Sequence, residues 1–369
     1  MKRLLLLIVL IVTIVFDCNA QDKSKVIFDF SGIEAFIDLC ETPNVDTVKI
    51  DQMLSLPAYQ GMIDWLTENW WSDLDEAAFR NIFRAVFIPT KYTIEERYNR
   101  FKRVIKHIQW AKENYCNLRN YIAAIKPGLN SQKVIERTKA FLPKDIPDGS
   151  FPVYFVVGLT QGSASEKGTF IDSEYKLLEG DPDKYLLPWI SHELHHTWRE
   201  KLPTEEDVVD SVYTGIEYAF YWLETEGIAE MVGFTENDLD EYVEHEAERK
   251  SKGEKVSYRI QNYLDVNKHL KNLNDAVKRI FTGNYDNPVD DVVVTLVPPN
   301  SNNVYHEVGH KMAYIIDKTL GRDALIKCVG KPKEFILAYQ QSAEQINNPE
   351  KVYIFDKDVM AGIKAIQWK

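Results

Sequence analysis

Cysteine is scarce, with four in 369 residues. Outside the N-terminal segment only Cys40, Cys116 and Cys328 remain. Three thiols so far apart make no disulfide framework, although one bridge among them is compatible with the spacing. A chain of this length can bury a large core without such staples. Basic charge is also in deficit: 44 Lys and Arg stand against 56 Asp and Glu, a formal net charge of −12. An acidic chain of this balance does not hold nucleic acid electrostatically, so no nucleic-acid partner is expected. After Phe16 no segment is long and apolar enough to cross a bilayer, which takes roughly 20 residues.

What is present begins with "MKRLLLLIVLIVTIVFDCNAQD". A charged start (Lys2, Arg3), an apolar run from Leu4 to Phe16 and a small-residue end at Cys18-Asn-Ala20 are the grammar of a secretory signal. Residues 1–20 are therefore expected to be a signal cut after Ala20, giving a periplasmic or secreted protein. Cys18 offers a lipid-anchored alternative, but Phe16 and Asp17 are poor residues to precede a lipidated cysteine.

Most of the remaining chain carries helical periodicity. "DEAAFRNIFRAVF" and "EERYNRFKRVIKHIQWAKENYCNLRNYIAAI" repeat apolar residues every three or four positions. "LPKDIPDGSFP" at 142–152 is a proline-rich break. The chain accordingly divides into a helical region at 21–145 and a second region at 150–369. "FPVYFVVGL" reads as a strand, followed by a Gly/Ser turn and a second strand at "GTFID". Helical pattern resumes at "DKYLLPWISHELHHTW", at "EDVVDSVYTGIEYAFYWLETEGIAEMVGF" and at "NNVYHEVGHKMAYIIDKTLG", where Gly321 is a natural stop. "ENDLDEYVEHEAERKSKGEK" reads as a solvated helix face. A helical first region leading into a small sheet plus helices is a mostly helical α+β arrangement.

Two segments spell His-Glu-x-x-His: "PWISHELHHTWRE" and "NNVYHEVGHKMAY". In the first, His192 and His196 are four apart and project from one helix face. Two imidazoles so placed can take adjacent corners of a tetrahedral zinc site, with Glu193 beside them as general base. Leu186, Leu187, Trp189 and Ile190 make this a buried helix, where two histidines and a glutamate without a shared task would cost several kcal/mol. Such a site needs a third ligand. "WLETEGIAEMV" supplies Glu226 and Glu230 on one face of an apolar helix, whereas Glu224 points elsewhere. One of the two can bind metal while the other accepts the outer N–H of a ligating histidine. Gly227 would let another helix approach closely.

His192-Glu-Leu-His-His196 followed by Glu226-Gly-Ile-Ala-Glu230 resembles the gluzincin zinc peptidases. It is most similar to bacterial families described as zinc-dependent proteases that share "HExHH" and "EGxAE", and more distantly to the aminopeptidase N family, which has "NEGFA" where this chain has "TEGIA". That resemblance implies a zincin-like core, a Zn2+ cofactor on His192, His196 and Glu226, and an outer, hydrogen-bonding role for Glu230. The gap from His196 to Glu226 exceeds that of the best-known members.

"VYHEVGHKMAYIIDKTLG" resembles the aminopeptidase segment "VYEKGAEVIRMIHTLLG". In that family a tyrosine three residues before the inner glycine stabilises the tetrahedral intermediate. Here Tyr305 lies four before Gly309 and His306 three before, so the role falls to Tyr305 or His306. His306 and His310 as an alternative metal pair lack a convincing third ligand: Asp317 and Asp323 have no buried context like that of Glu226. The first copy is expected to hold the metal.

The implied function is an exported zinc-dependent peptidase that hydrolyses a peptide or protein substrate with metal-activated water and Glu193 as general base. "FPVYFVVGL" or "GTFID" is expected to pair with an extended substrate. His195, His107, His245, His269 and Arg199 read as outer or solvated residues. The aminopeptidase Gly-Ala-Met-Glu-Asn signature is absent, which favours endopeptidase or processing activity. Two alternatives stand: a catalytically inactive peptide- or ligand-binding relic, and a polysaccharide-degrading enzyme with Trp65, Trp70 or Trp71 stacking on sugars. The second leaves both histidine motifs unexplained.

Overall fold

A computed structural model describes residues 24–368 apart from 70, 160, 174–182, 203–207, 237, 256 and 299–302. The expected signal segment and Trp70 lie outside the described residues. The architecture is mostly helical with one small mixed sheet. Strand β1 (Lys25–Asp29) precedes seven helices: α1 (Ser31–Glu41), α2 (Thr47–Leu54), α3 (Pro57–Asn69), α4 (Glu76–Phe87), α5 (Lys102–Glu113), α6 (Tyr115–Ile125) and α7 (Ser131–Lys139). Strands β2 (Ser150–Val156), β3 (Gly162–Ser165) and β4 (Gly168–Asp172) follow. The helices after them are α8 (Leu186–Arg199), α9 (Thr214–Gly233), α10 (Leu239–Ser251), α11 (Tyr258–Leu264), α12 (Val266–Phe281), α13 (Asp290–Val293), α14 (Tyr305–Leu320), α15 (Arg322–Ile326), α16 (Pro332–Ile346) and α17 (Lys357–Ala365).

The sheet order is β1-β2-β4-β3. β1 and β2 run parallel (Lys25 opposite Ser150), as do β2 and β4 (Val153 opposite Thr169), while β3 returns antiparallel on β4. Val153, Phe155, Phe170 and Ile171 are buried, as strands covered on both faces require. The region expected to be wholly helical thus contributes a strand, β1, to the sheet. Phe30 stacks on Phe155 with ring centroids 4.4 Å apart, so the two regions share one core.

The expected Gly/Ser turn is instead strand β3, with the reversal at Glu166–Gly168, where Gly168 has φ +138°. Only glycine adopts that conformation without strain. β2 and β4 each have neighbours on both sides, so neither offers an edge to a substrate. The strand edges are β1 and β3. Among the described residues Cys40, Cys116 and Cys328 carry free thiols.

Helix α8 lies against the sheet through Thr197, whose hydroxyl is 3.2 Å from that of Thr169, and through Trp198, 4.5 Å from the Phe151 ring. Helices α9 and α14 cross at Gly227 and Gly309, where a Cβ on Gly227 would overlap the Gly309 carbonyl. Close approach of these two backbones brings the second histidine motif beside Glu226, which α9 also presents to the first.

Candidate metal centre

The donors converge from three helices. On α8, one turn apart, the Nε2 atoms of His192 and His196 stand 3.2 Å from each other. From α9, Glu226 Oε2 is 3.4 Å from His192 Nε2 and 3.5 Å from His196 Nε2. Ligands 2.0–2.2 Å from a tetrahedral zinc are separated by about 3.3–3.5 Å. The triangle therefore has the edges of one face of such a site. Glu226 Oε2 is buried and no imidazole meets it with hydrogen-bond geometry, although His306 Nδ1 is also only 3.1 Å away. A buried carboxylate oxygen ringed by nitrogens it does not bond suits a cation at their centre.

Electrostatics agree with the geometry. Burial opposes charge on Glu226, but His196 and His306 outweigh it and hold its carboxyl well below the usual range. Burial likewise opposes a proton on His192, yet Glu226, Glu193 and Glu230 raise its pKa. A cluster that draws protons in this way attracts other cations too.

Glu193 is buried beside them, its carboxylate within 4.8 Å of both nitrogens. Trp189, one turn back on α8, donates Nε1–H to Glu193 Oε1 at 3.2 Å. That bond ties one carboxylate oxygen to the indole. Burial raises the Glu193 pKa, partly offset by His192 and His196. β3 closes over it: a Cβ on Gly162 would overlap Glu193 Oε1.

The second motif divides between two environments. His306 joins the first site, its Nδ1 3.1 Å from Glu226 Oε2 and 3.2 Å from Glu230 Oε1. Burial disfavours its charge, but Glu226 and Glu230 lift its pKa well above the ordinary value. Glu307 turns away and is buried, accepting from Arg259 Nε at 2.7 Å and Asn262 Nδ2 at 2.9 Å. His310 is fully buried with Nδ1 2.7 Å from the Tyr263 hydroxyl, and burial pushes its pKa down to about 3. Arg259 also reaches Glu230 Oε1 at 2.8 Å. Glu230 therefore lies in ion-pair contact with His306 and Arg259, where a ligating histidine was expected as its partner.

Tyr305 is drawn off differently. Its hydroxyl accepts from Asn303 Nδ2 at 2.9 Å, and its ring lies between Trp222 (5.2 Å) and His306 (4.7 Å).

Several residues expected to be solvated are buried. His107 Nε2 pairs with Asp172 Oδ1 at 2.7 Å. His195 is buried with Nε2 3.4 Å from the Phe141 carbonyl, and burial lowers its pKa far below the usual value. Arg199 forms a buried ion pair with Glu224, which also accepts from Gly330 N at 3.1 Å. Each charged group found a partner remote in sequence, which helical patterning does not display. Trp65 and Trp71 are partly buried and pack against the core. Arg259, Asn262 and Trp189 were missed. Trp189 had a usable signal, four residues before Glu193 on one helix face; Arg259 and Asn262 had none.

Residues 50–348 match a family described as "Putative zinc dependent peptidase (DUF5700)". The match spans most of the chain, so the chain belongs to this family. No curated protein and no solved structure matches it.

Proposed function

We propose that this member of the DUF5700 family is a zinc-dependent peptidase whose ion is held by His192, His196 and Glu226. The observation that carries the reading is the three-donor triangle with tetrahedral edge lengths. Glu193 lies in reach of both histidines too, but its bond to Trp189 suits it to proton transfer. When bound, zinc polarises the scissile carbonyl and makes a water acidic enough to ionise near neutral pH.

The chain's own groups do the rest. Glu193 takes the proton of the attacking water and passes it to the leaving amine; a carboxylate whose pKa is raised by burial is suited to both transfers. His306, held by Glu226 and Glu230, carries a second N–H when protonated and directs it at the developing oxyanion. Tyr305, bonded to Asn303 and stacked on Trp222, belongs to the wall of the site. Glu230 and Arg259 fix the His306 ring. β3 replaces β2 and β4 as the edge on which an extended substrate would align, because it overlies Glu193. The N-terminal signal grammar supports export with cleavage after Ala20.

Zinc-loaded protein should cleave a mixture of fluorescence-quenched peptides, lose that activity to a chelator and regain it with zinc. A protein holding one zinc per chain that cleaves none of them would overturn the reading. Terminal sequencing of protein from the exported fraction should begin at Gln21.

A further inference from the structure

Tyr218, Trp222 and Glu226 follow one another at four-residue intervals on α9 and so share one face. With a rise of 1.5 Å per residue, Trp222 stands about 6 Å and Tyr218 about 12 Å along the axis from Glu226. Their rings are in contact with their neighbours: Tyr218 to Trp222 at 5.9 Å, Tyr221 to Trp222 at 5.4 Å, and Trp222 to Tyr305 at 5.2 Å and 28°. Tyr305 then meets His306 at 4.7 Å with the rings tilted by 33°. A continuous row of aromatic rings thus runs from solvent to the candidate metal centre.

Core packing accounts for Tyr305 but not for the rest of this row. Tyr218 and Tyr221 are 43% and 38% exposed, and neither they nor Trp222 belongs to the hydrophobic core. An apolar shelf of this kind, left in water beside a polar catalytic cluster, marks a place where apolar ligand surface is covered.

We propose that Tyr218, Trp222 and Tyr305 form a specificity subsite that takes a large apolar, preferentially aromatic, side chain of the substrate peptide. The inference rests on the peptidase reading above. An extended peptide advances about 3.3 Å per residue, so Trp222 is within reach of a side chain about two residues from the scissile bond. The rings offer stacking faces, and the tyrosine hydroxyls keep the row soluble when it is uncovered.

The test is equilibrium binding to zinc-loaded Glu193→Gln protein, with zinc measured separately. Two peptide hydroxamates are compared that differ only in Ala or Phe at the residue placed on the shelf. Phe should bind about 10-fold or more tightly than Ala. In a Tyr218→Ala/Trp222→Ala double variant that ratio should fall to about 3 or less, and Tyr218→Phe/Trp222→Phe should restore it. Equal binding of the two hydroxamates, or an undiminished preference in the double Ala variant, overturns the subsite alone. Failure of both hydroxamates to bind a protein that holds one zinc per chain overturns the peptidase reading and the subsite with it. Binding of a chito-oligosaccharide that needs Trp222, with no Phe preference, overturns the subsite in favour of a sugar platform.

Discussion

The two His-Glu-x-x-His segments share a spelling and diverge in what their neighbours supply. On α8, His192 and His196 both meet Glu226 of α9. On α14 the same four-residue spacing brings His306 to Glu226 and Glu230, but sends His310 to the Tyr263 hydroxyl of α11. The glutamates differ as well. Glu193 accepts one indole N–H, whereas Glu307 is bound by Arg259 and Asn262. Of the two pairs, only the one on α8 has both imidazoles beside a single acid of a second helix. Where a phenol stands at one of the two positions, that ring is a core residue.

The largest expected contrast is in metal content. Glu226→Ala should weaken zinc binding by at least about 100-fold, beyond the range seen on losing an outer-sphere partner. His310→Ala should still purify with zinc near one per chain. Metal analysis of both proteins, prepared without chelator, would reverse the assignment if zinc were lost with His310→Ala and kept with Glu226→Ala.

Exchanging each glutamate for its amide sharpens the same comparison. Glu193→Gln should retain zinc and lose turnover by about 100- to 10,000-fold, the range for a general base. Glu307→Gln instead removes charge from a buried hydrogen-bonded group. It should cost about 2 kcal/mol of stability, a figure kept modest because Arg259 is partly exposed. Turnover at saturating peptide, alongside urea unfolding, separates the two. A Glu307→Gln protein as inactive as Glu193→Gln while fully folded would contradict the division of labour.

The local part of this architecture was legible in the residues. Four-residue spacing placed His192 with His196 and Glu226 with Glu230 on helix faces, and Gly227 announced a close helix crossing. β3 was not legible, because Gly-Ser-Ala-Ser has no β-branched or aromatic residue and becomes a strand only by pairing with β4. Nor was the fate of buried charge. Arg199, His107 and Glu307 sit in patterns that suggest solvent, and their partners Glu224, Asp172 and Arg259 come from other elements. Pairwise neutralisation between helices leaves no local periodicity to read.

Gly227→Ala tests whether the two motifs depend on one crossing. A Cβ there would overlap the Gly309 carbonyl, and backbone yields less readily than a side chain end. Alanine favours an isolated helix by about 1 kcal/mol over glycine, yet overpacking of this kind costs about 1–3 kcal/mol. Net destabilisation of up to about 2 kcal/mol is expected, with weaker zinc binding as Glu226 shifts. Denaturant unfolding that shows the variant to be more stable would mean the helices part without cost.

A last contrast separates the two motifs by pH. His310 is neutral in the folded chain, with a pKa near 3, because burial excludes its charge. In the unfolded chain the ordinary value is about 6.5. Between these values only the unfolded state binds the proton, so this group's contribution is complete above about pH 6.5 and is lost as pH falls toward 3, by about 1.4 kcal/mol per pH unit. His306 has the opposite sign: its pKa is raised in the fold, so its contribution is present below about 6.5 and is lost as pH rises through the raised value. Unfolding free energies of wild type and His310→Gln, compared from pH 7 to pH 4.5, should show a shallower acid decline in the variant. Parallel declines would mean that His310 takes up its proton without leaving the fold, and that the second histidine of α14 is not the neutral core residue its bond to Tyr263 makes it.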